Sequence, residues 1–286
     1  MPSYRAWRIE VNKRDGHWNF LCLNPPNYLL GSYKVKTPSE NTHSLQILQP
    51  IKVQHGNWIP ELLIAIDGSH AEVDIKNSFP GAEASYVTVA SVILDVAKMQ
   101  KLDQQRPVNF KEFKTIEKAE SIDCALPSGN VISEGEKSAK DSLRKSIFEV
   151  FSSVRMSSDG ESLLDTYEAL LKYKPITDRT QKCPYEDCPS DKDYLRGNGR
   201  YTCPCQLARP LYSTDALRIH ERMNPAGTNG AIFSERIQVW ERIWIVHILR
   251  TLEAKKWLSS LRRLAIILDG QLAVFGQPAW ISQAIY

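Results

Sequence analysis

Leu62-Leu63-Ile64-Ala65-Ile66-Asp67-Gly68-Ser69 is the stretch that decides how this chain is read. An unbroken apolar run of this length suits a buried central strand, and Asp-Gly ends it. The pattern returns near the end of the chain as Leu264-Ala265-Ile266-Ile267-Leu268-Asp269-Gly270. A buried strand holds its last side chain rigidly, and a following glycine lets the backbone turn away while the carboxylate stays open to ligands. If the two strands are neighbours, Asp67 and Asp269 converge. Taken singly, each Asp-Gly has the alternative meaning of a plain turn after a strand.

Working outward, residues 86–94 (YVTVASVIL) are rich in β-branched side chains and read as a further strand. Residues 120–142 are polar and hold Pro127, Ser128, Gly129 and Gly135, which reads as a loop or mobile segment. Helical patterns follow over residues 142–153 and 162–173. Ser213-Thr214-Asp215 offers N-cap chemistry for a short helix through His220. A longer helix is expected over residues 234–260, with Trp240, Trp244 and Trp257 in the core. Residues 1–60, interrupted by Pro25, Pro26, Pro38, Pro50 and Pro60, read as an N-terminal extension suited to dimerisation or partner docking. The expected architecture is α/β, with a mixed sheet built from residues 61–123 and 231–286 and a helical, metal-bearing insertion over residues 124–230.

Composition narrows the classes. The chain has 286 residues, 42% of them apolar, and 36 basic against 33 acidic side chains, a formal charge of +3. Attraction to nucleic acid over the whole surface is therefore weak, and a polyanion site needs local basic clusters. The first residues, MPSYRAWRIEVNKRD, lack the apolar core of a secretory signal. The most apolar helical stretch, residues 237–261, is broken by Glu241, Arg242, His247, Arg250 and Glu253 and cannot span a bilayer. These features lead to a cytoplasmic protein with no membrane association.

Paired carboxylates at Asp67 and Asp269 need a cation to offset their repulsion, and magnesium or manganese takes such oxygen ligands. A third acid is expected from the long helix. Glu253 lies on a stripe with Val246, Leu249 and Trp257, where a carboxylate should be paired or ligating. The plainer reading is a rim glutamate bridged to Arg250 or Lys256. Glu241 is a rival, flanked in the same manner by Ile237, Trp244, Ile245 and Ile248. His70 could touch substrate or metal, although a histidine there more often bonds only to its neighbours.

The segments Ile66-Asp67-Gly68-Ser69, Leu252-Glu253 and Ile267-Leu268-Asp269-Gly270-Gln271-Leu272 resemble motifs of the NurA nuclease family. Residues 166–171 (TYEALL), Cys183-Pro184 and residues 214–221 (TDALRIHE) are similar to segments of its bacterial members. The resemblance covers about residues 60–276. It implies a fold similar to ribonuclease H and a manganese- or magnesium-dependent DNA nuclease. It also implies a homodimer working with the hexameric ATPase HerA in DNA end processing or antiphage defence. Asp67, Glu253 and Asp269 would be the metal ligands and catalytic acids, with Asp67 bridging two ions. In a two-metal site one ion activates water and the other stabilises the leaving oxygen. The family also uses a Tyr and a His well after the second Asp-Gly, whereas no His follows Asp269 here. Either this sequence is part of a longer protein or one element of the site is missing, and the second alternative keeps a rival open, a non-catalytic adaptor that binds DNA or the ATPase. An RNA-directed nuclease is a third reading, because discrimination by the 2′-hydroxyl leaves no mark in these motifs.

Of the six cysteines, Cys183, Cys188, Cys203 and Cys205 cluster while Cys22 and Cys124 stand alone. Four thiolates in two knuckles suit a tetrahedral structural zinc, with His220 able to replace one cysteine. Two reduced pairs without metal are the alternative. Arg196, Arg200 and Arg209 around the cluster, and Lys255, Lys256, Arg262 and Arg263 farther on, could hold phosphates or form a solvated basic face.

Overall fold

The computed structural model describes residues 58–75, 82–102, 110–175, 180, 181, 183–189, 194, 195, 197–205, 207, 209–224, 229–269, 274 and 276–285. All of these lie in the compact unit Asn57–Tyr286. The expected N-terminal extension therefore lies outside the described residues, apart from residues 58–60.

Three long strands come first: β1 (Leu62–Asp74), β2 (Glu83–Asp95) and β3 (Glu117–Pro127). Helices α1 (Ala139–Ser153) and α2 (Leu163–Leu171) follow. A small antiparallel pair comes next, β4 (Arg200–Thr202) with β5 (Pro210–Tyr212). The long helix α3 (Gly230–Ala254) leads to β6 (Leu264–Leu268), and α4 (Trp280–Ile285) completes the described chain. The central sheet is mixed, in the order β3-β2-β1-β6. β1 pairs antiparallel with β2, and β2 with β3, whereas β6 lies parallel to β1. A parallel neighbour needs a crossover, and α3 supplies it.

One face of the sheet carries Ile64, Ile66, Val87, Val89, Ile122, Cys124 and Leu126, all buried. Leu143 and Phe151 of α1, Tyr167 of α2 and Trp240 and Trp244 of α3 share a single core with them. Burying each such side chain stabilises the fold by about 1.5–3 kcal/mol. Local signals agree with these helices. Ser138 accepts the Asp141 amide at the start of α1. Ser162 and Asp165 form a reciprocal capping box at the start of α2.

Five expectations change. β1 does not stop at Asp67 but continues through Asp74, so the Asp-Gly there is inside a strand. Residues 120–127 are strand, because Ile122, Cys124 and Leu126 alternate inward while Asp123 faces out and accepts from Thr88 and Ser121. The hydrophobic signal was carried partly by a cysteine, which behaves as a small apolar residue when buried. The boundary at residue 124 cuts through β3, and α1 and α2 belong to the sheet's own core, so residues 124–230 are not a separate body. Trp257 is 56% exposed, since α3 ends at Ala254, while Trp240 and Trp244 are buried. The short helix after Tyr212 is two 3-10 turns divided by Arg218 at φ 56°.

Candidate active site

Parallel pairing of β1 with β6 runs from Leu62 with Leu264 to Ile66 with Leu268. The next residues in each chain direction are Asp67 and Asp269, so the two acids follow neighbouring positions where the β6 ladder stops. β1 runs on against β2, which presents Gly68 and His70 beyond that point. The sheet register thus does for Asp67 what a strand end was expected to do.

The helix carboxylate of this cleft is Glu241. An ideal Cβ built on Gly68 would fall 2.1 Å from Ile237 Cγ2 and 3.0 Å from Glu241 Oε1. α3 therefore packs closely over Gly68, where a side chain would force Ile237 or the helix to shift. Asp67, Gly68, His70, Ser234, Ile237, Gln238, Glu241 and Asp269 line a cleft of about 220 Å³. Asp67 and Asp269 are exposed at its mouth, His70 is half-buried, and Glu241 is 4% exposed at its wall.

Burial pushes the Glu241 carboxyl up from its ordinary value, and the neighbouring Asp67 adds to this. The Arg242 guanidinium, bonded to Glu241 Oε2, and the Gly68 amide pull in the other direction. Arg242 is itself buried, so the pair shares a low-dielectric environment in which its attraction is strong. Oε1 is the oxygen turned toward Gly68.

Glu253, the helix acid favoured by the motif spacing, is exposed in the last turn of α3 and does not line the cleft. Twelve residues of helix separate it from Glu241, about 18 Å along the axis. Because α3 precedes β6 and the two run in opposite directions, the early turns of the helix, not the last, sit at the end of β6 that carries Asp269. The signal that finds Glu241 is its place between Ile237, Trp240 and Trp244, the buried stripe of α3.

Among the described residues, the only three or more potential ligand atoms drawn within 4.8 Å of one another are the thiols of Cys183, Cys188 and Cys203. Asp67, Glu241 and Asp269 line one cleft without all three falling within that distance. Cys205 is buried in the same small cluster, while His220 is buried elsewhere and is not one of the grouped ligands. Arg196, Gly270, Gln271 and Leu272 lie outside the described residues. Arg209 is committed to Asp187, and Arg263 to Glu61. Lys256 and Arg262 are exposed, and Lys255 lies 3.8 Å from Asp159.

A family model described as the NurA domain matches residues 61–274, most of the chain and all of the sheet. The chain belongs to the NurA family. No curated protein and no solved structure matches it. The matched span runs from the first residues before β1 to beyond β6 and so includes Asp67, Glu241, Glu253 and Asp269. Membership of NurA makes a nuclease-like role the ground for reading this cleft. Among the described residues no helix is long and apolar enough to cross a membrane.

Proposed function

We propose that this NurA-family chain is a divalent-metal-dependent DNA nuclease whose acids are Asp67, Glu241 and Asp269, with a ribonuclease H-like sheet. The observation that carries the proposal is the seating of α3 on Gly68, which puts the buried Glu241 in the same cleft as the two sheet aspartates. The strand order β3-β2-β1-β6, with one parallel partner for β1, supports the ribonuclease H-like reading.

The donor set fits manganese or magnesium, since it is made of carboxylate oxygens with one imidazole at hand and no thiol. When bound, such ions activate water and stabilise the charge that develops on the phosphate and the leaving oxygen. Asp67 and Asp269 supply exposed oxygens at the cleft mouth. Arg242 binds Glu241 Oε2 and partly offsets the upward push of burial on its carboxyl, while Oε1 turns toward Gly68. Gly68 contributes by having no side chain, and His70 lines the same cleft.

The partner readings follow from NurA membership. They are a homodimer, DNA as substrate and a HerA-type hexameric ATPase as motor, in end processing or antiphage defence. The described thiols form no disulfide, which suits a reducing, cytoplasmic setting.

A second reading, a nuclease-like adaptor for DNA or the ATPase, is favoured because, among the described residues, Asp67, Glu241 and Asp269 do not form a three-ligand group as tight as that of the thiols. One experiment separates the two. Linear single- and double-stranded DNA and RNA are incubated with manganese, magnesium or EDTA, with and without the ATPase, alongside Asp67→Asn, Glu241→Gln and Asp269→Asn. Metal-dependent DNA cutting lost in all three variants supports the nuclease. Binding of DNA or ATPase without cutting in any metal favours the adaptor, and preferential cutting of RNA overturns the DNA assignment.

A further inference from the structure

A cluster of cysteine thiols lies among residues that do not line the acidic cleft. The Sγ atoms of Cys183 and Cys203 lie 3.4 Å apart, and those of Cys188 and Cys203 lie 3.8 Å apart. All three fall within 4.8 Å of one another. A disulfide would require about 2.05 Å. A tetrahedron with zinc–sulfur bonds of about 2.3 Å has sulfur–sulfur edges of about 3.8 Å, close to the spacing found. The Cys205 amide donates to Cys203 Sγ at 3.5 Å, the kind of bond that supports a thiolate. Cys205 is buried in the same cluster with Leu211 and Tyr201.

We propose that Cys183, Cys188 and Cys203, with Cys205 as fourth ligand, hold a zinc ion that clasps Tyr185 over the buried Arg144. Tyr185 lies between the first two cysteines. Its hydroxyl donates to Pro210 O at 2.9 Å, and its ring centroid lies 4.7 Å from the Arg144 guanidinium carbon. Arg144 is 2% exposed and is spent on Asp215 through Nε and Nη2, at 2.8 and 2.7 Å, and on Asp141 at 3.0 Å. Asp215 in turn accepts the Tyr212 amide at 2.9 Å.

The second knuckle reaches the same place, since the Cys203 amide donates to Arg209 O at 2.8 Å, next to Pro210. Both knuckles thus bear on the strand Pro210–Tyr212. The nearest carboxylates are otherwise engaged, Asp187 by Arg209 and Glu186 by Lys140, which leaves an all-sulfur donor set. Four thiolates select zinc over hard ions and leave no open position for a reacting water. The ion is therefore a clasp between the cysteine ribbon and α1.

The test uses the full chain and needs no DNA. Metal analysis of the purified protein should find about one zinc per chain, retained in Glu241→Gln and Cys124→Ser. It should be lost in Cys183→Ser and Cys203→Ser. If those serine variants do not fold, stepwise mercurial titration of the wild type should release zinc as the clustered thiols react.

Cobalt substitution should give strong thiolate-to-cobalt absorption that weakens in Cys205→Ser. An unchanged band in that variant would remove Cys205 from the ligand set and overturn the four-thiolate assignment. Zinc removal should lower the melting temperature by several degrees and raise amide exchange around Tyr185 and Pro210. Absence of zinc, iron in its place, or loss of zinc with unchanged melting and exchange would overturn the proposal. Because zinc content is read without cleavage, failure here leaves the nuclease reading standing, and the reverse also holds.

Discussion

Gly68 and Ile237 touch so closely that a Cβ on Gly68 would stand 2.1 Å from Ile237 Cγ2. Gly68→Ala should therefore lift α3 from the sheet. Overpacking of this kind costs about 1–3 kcal/mol, which urea denaturation would read as a lower midpoint. Glu241 moves with the helix, so metal-dependent cleavage should fall more steeply than stability does. In the Gly68→Ala/Ile237→Ala pair the two losses should be less than additive, because the second change removes the clash made by the first. Full additivity would mean the contact is not what limits position 68.

The two helix glutamates make opposite predictions. Glu241→Gln should abolish manganese-dependent cleavage and weaken manganese binding measured by calorimetry. Glu253→Gln, altering an exposed side chain in the last turn of α3, should leave both within about twofold. The reverse result would restore the assignment suggested by motif spacing and displace Glu241.

His220 is 5% exposed, and burial lowers its pKa from 6.5 to about 4. A base with a depressed folded pKa stabilises the fold in its neutral form above pH 6.5, and this contribution is lost as pH falls through the window from 6.5 to about 4. The unfolded chain takes up a proton there and the native one does not. The slope should amount to about 3 kcal/mol across that window, seen as falling urea midpoints. His247 is shifted in the same direction, again chiefly by burial, and adds to the trend. His220→Gln should flatten the profile; an unchanged slope would assign it elsewhere.

Arg144 and Asp215 form an ion pair with each side chain only 1% exposed. Removing one partner strands the other charge in the interior, so Asp215→Asn should cost about 3–5 kcal/mol. Arg144→Met combined with Asp215→Leu should cost less than the single change, since neither charge is then left unpaired. Thermal unfolding of the single and double variants would decide this, and a double variant worse than the single would refute the pairing account.

Much was legible from periodicity. The apolar runs at residues 62–66 and 264–268 are strands, and residues 86–94 lie within β2. Repetition of Asp-Gly after both runs marked Asp67 and Asp269, which follow the paired residues Ile66 and Leu268. β3 was missed because its outward face is polar and its inward face includes Cys124. The cysteine spacing marked a thiol cluster, and three of its four members are drawn within 4.8 Å of one another.

Sequence by itself determined which strands carry acids and which cysteines cluster, because these depend on neighbours along the chain. Only the tertiary structure decided which glutamate of α3 faces the aspartates. An amphipathic helix offers several glutamates on or near its apolar stripe. The choice follows from the direction in which α3 crosses the sheet and from the gap at Gly68 into which Ile237 and Glu241 fit. The same holds for Tyr185 over Arg144, a contact between residues far apart in sequence that no local pattern encodes.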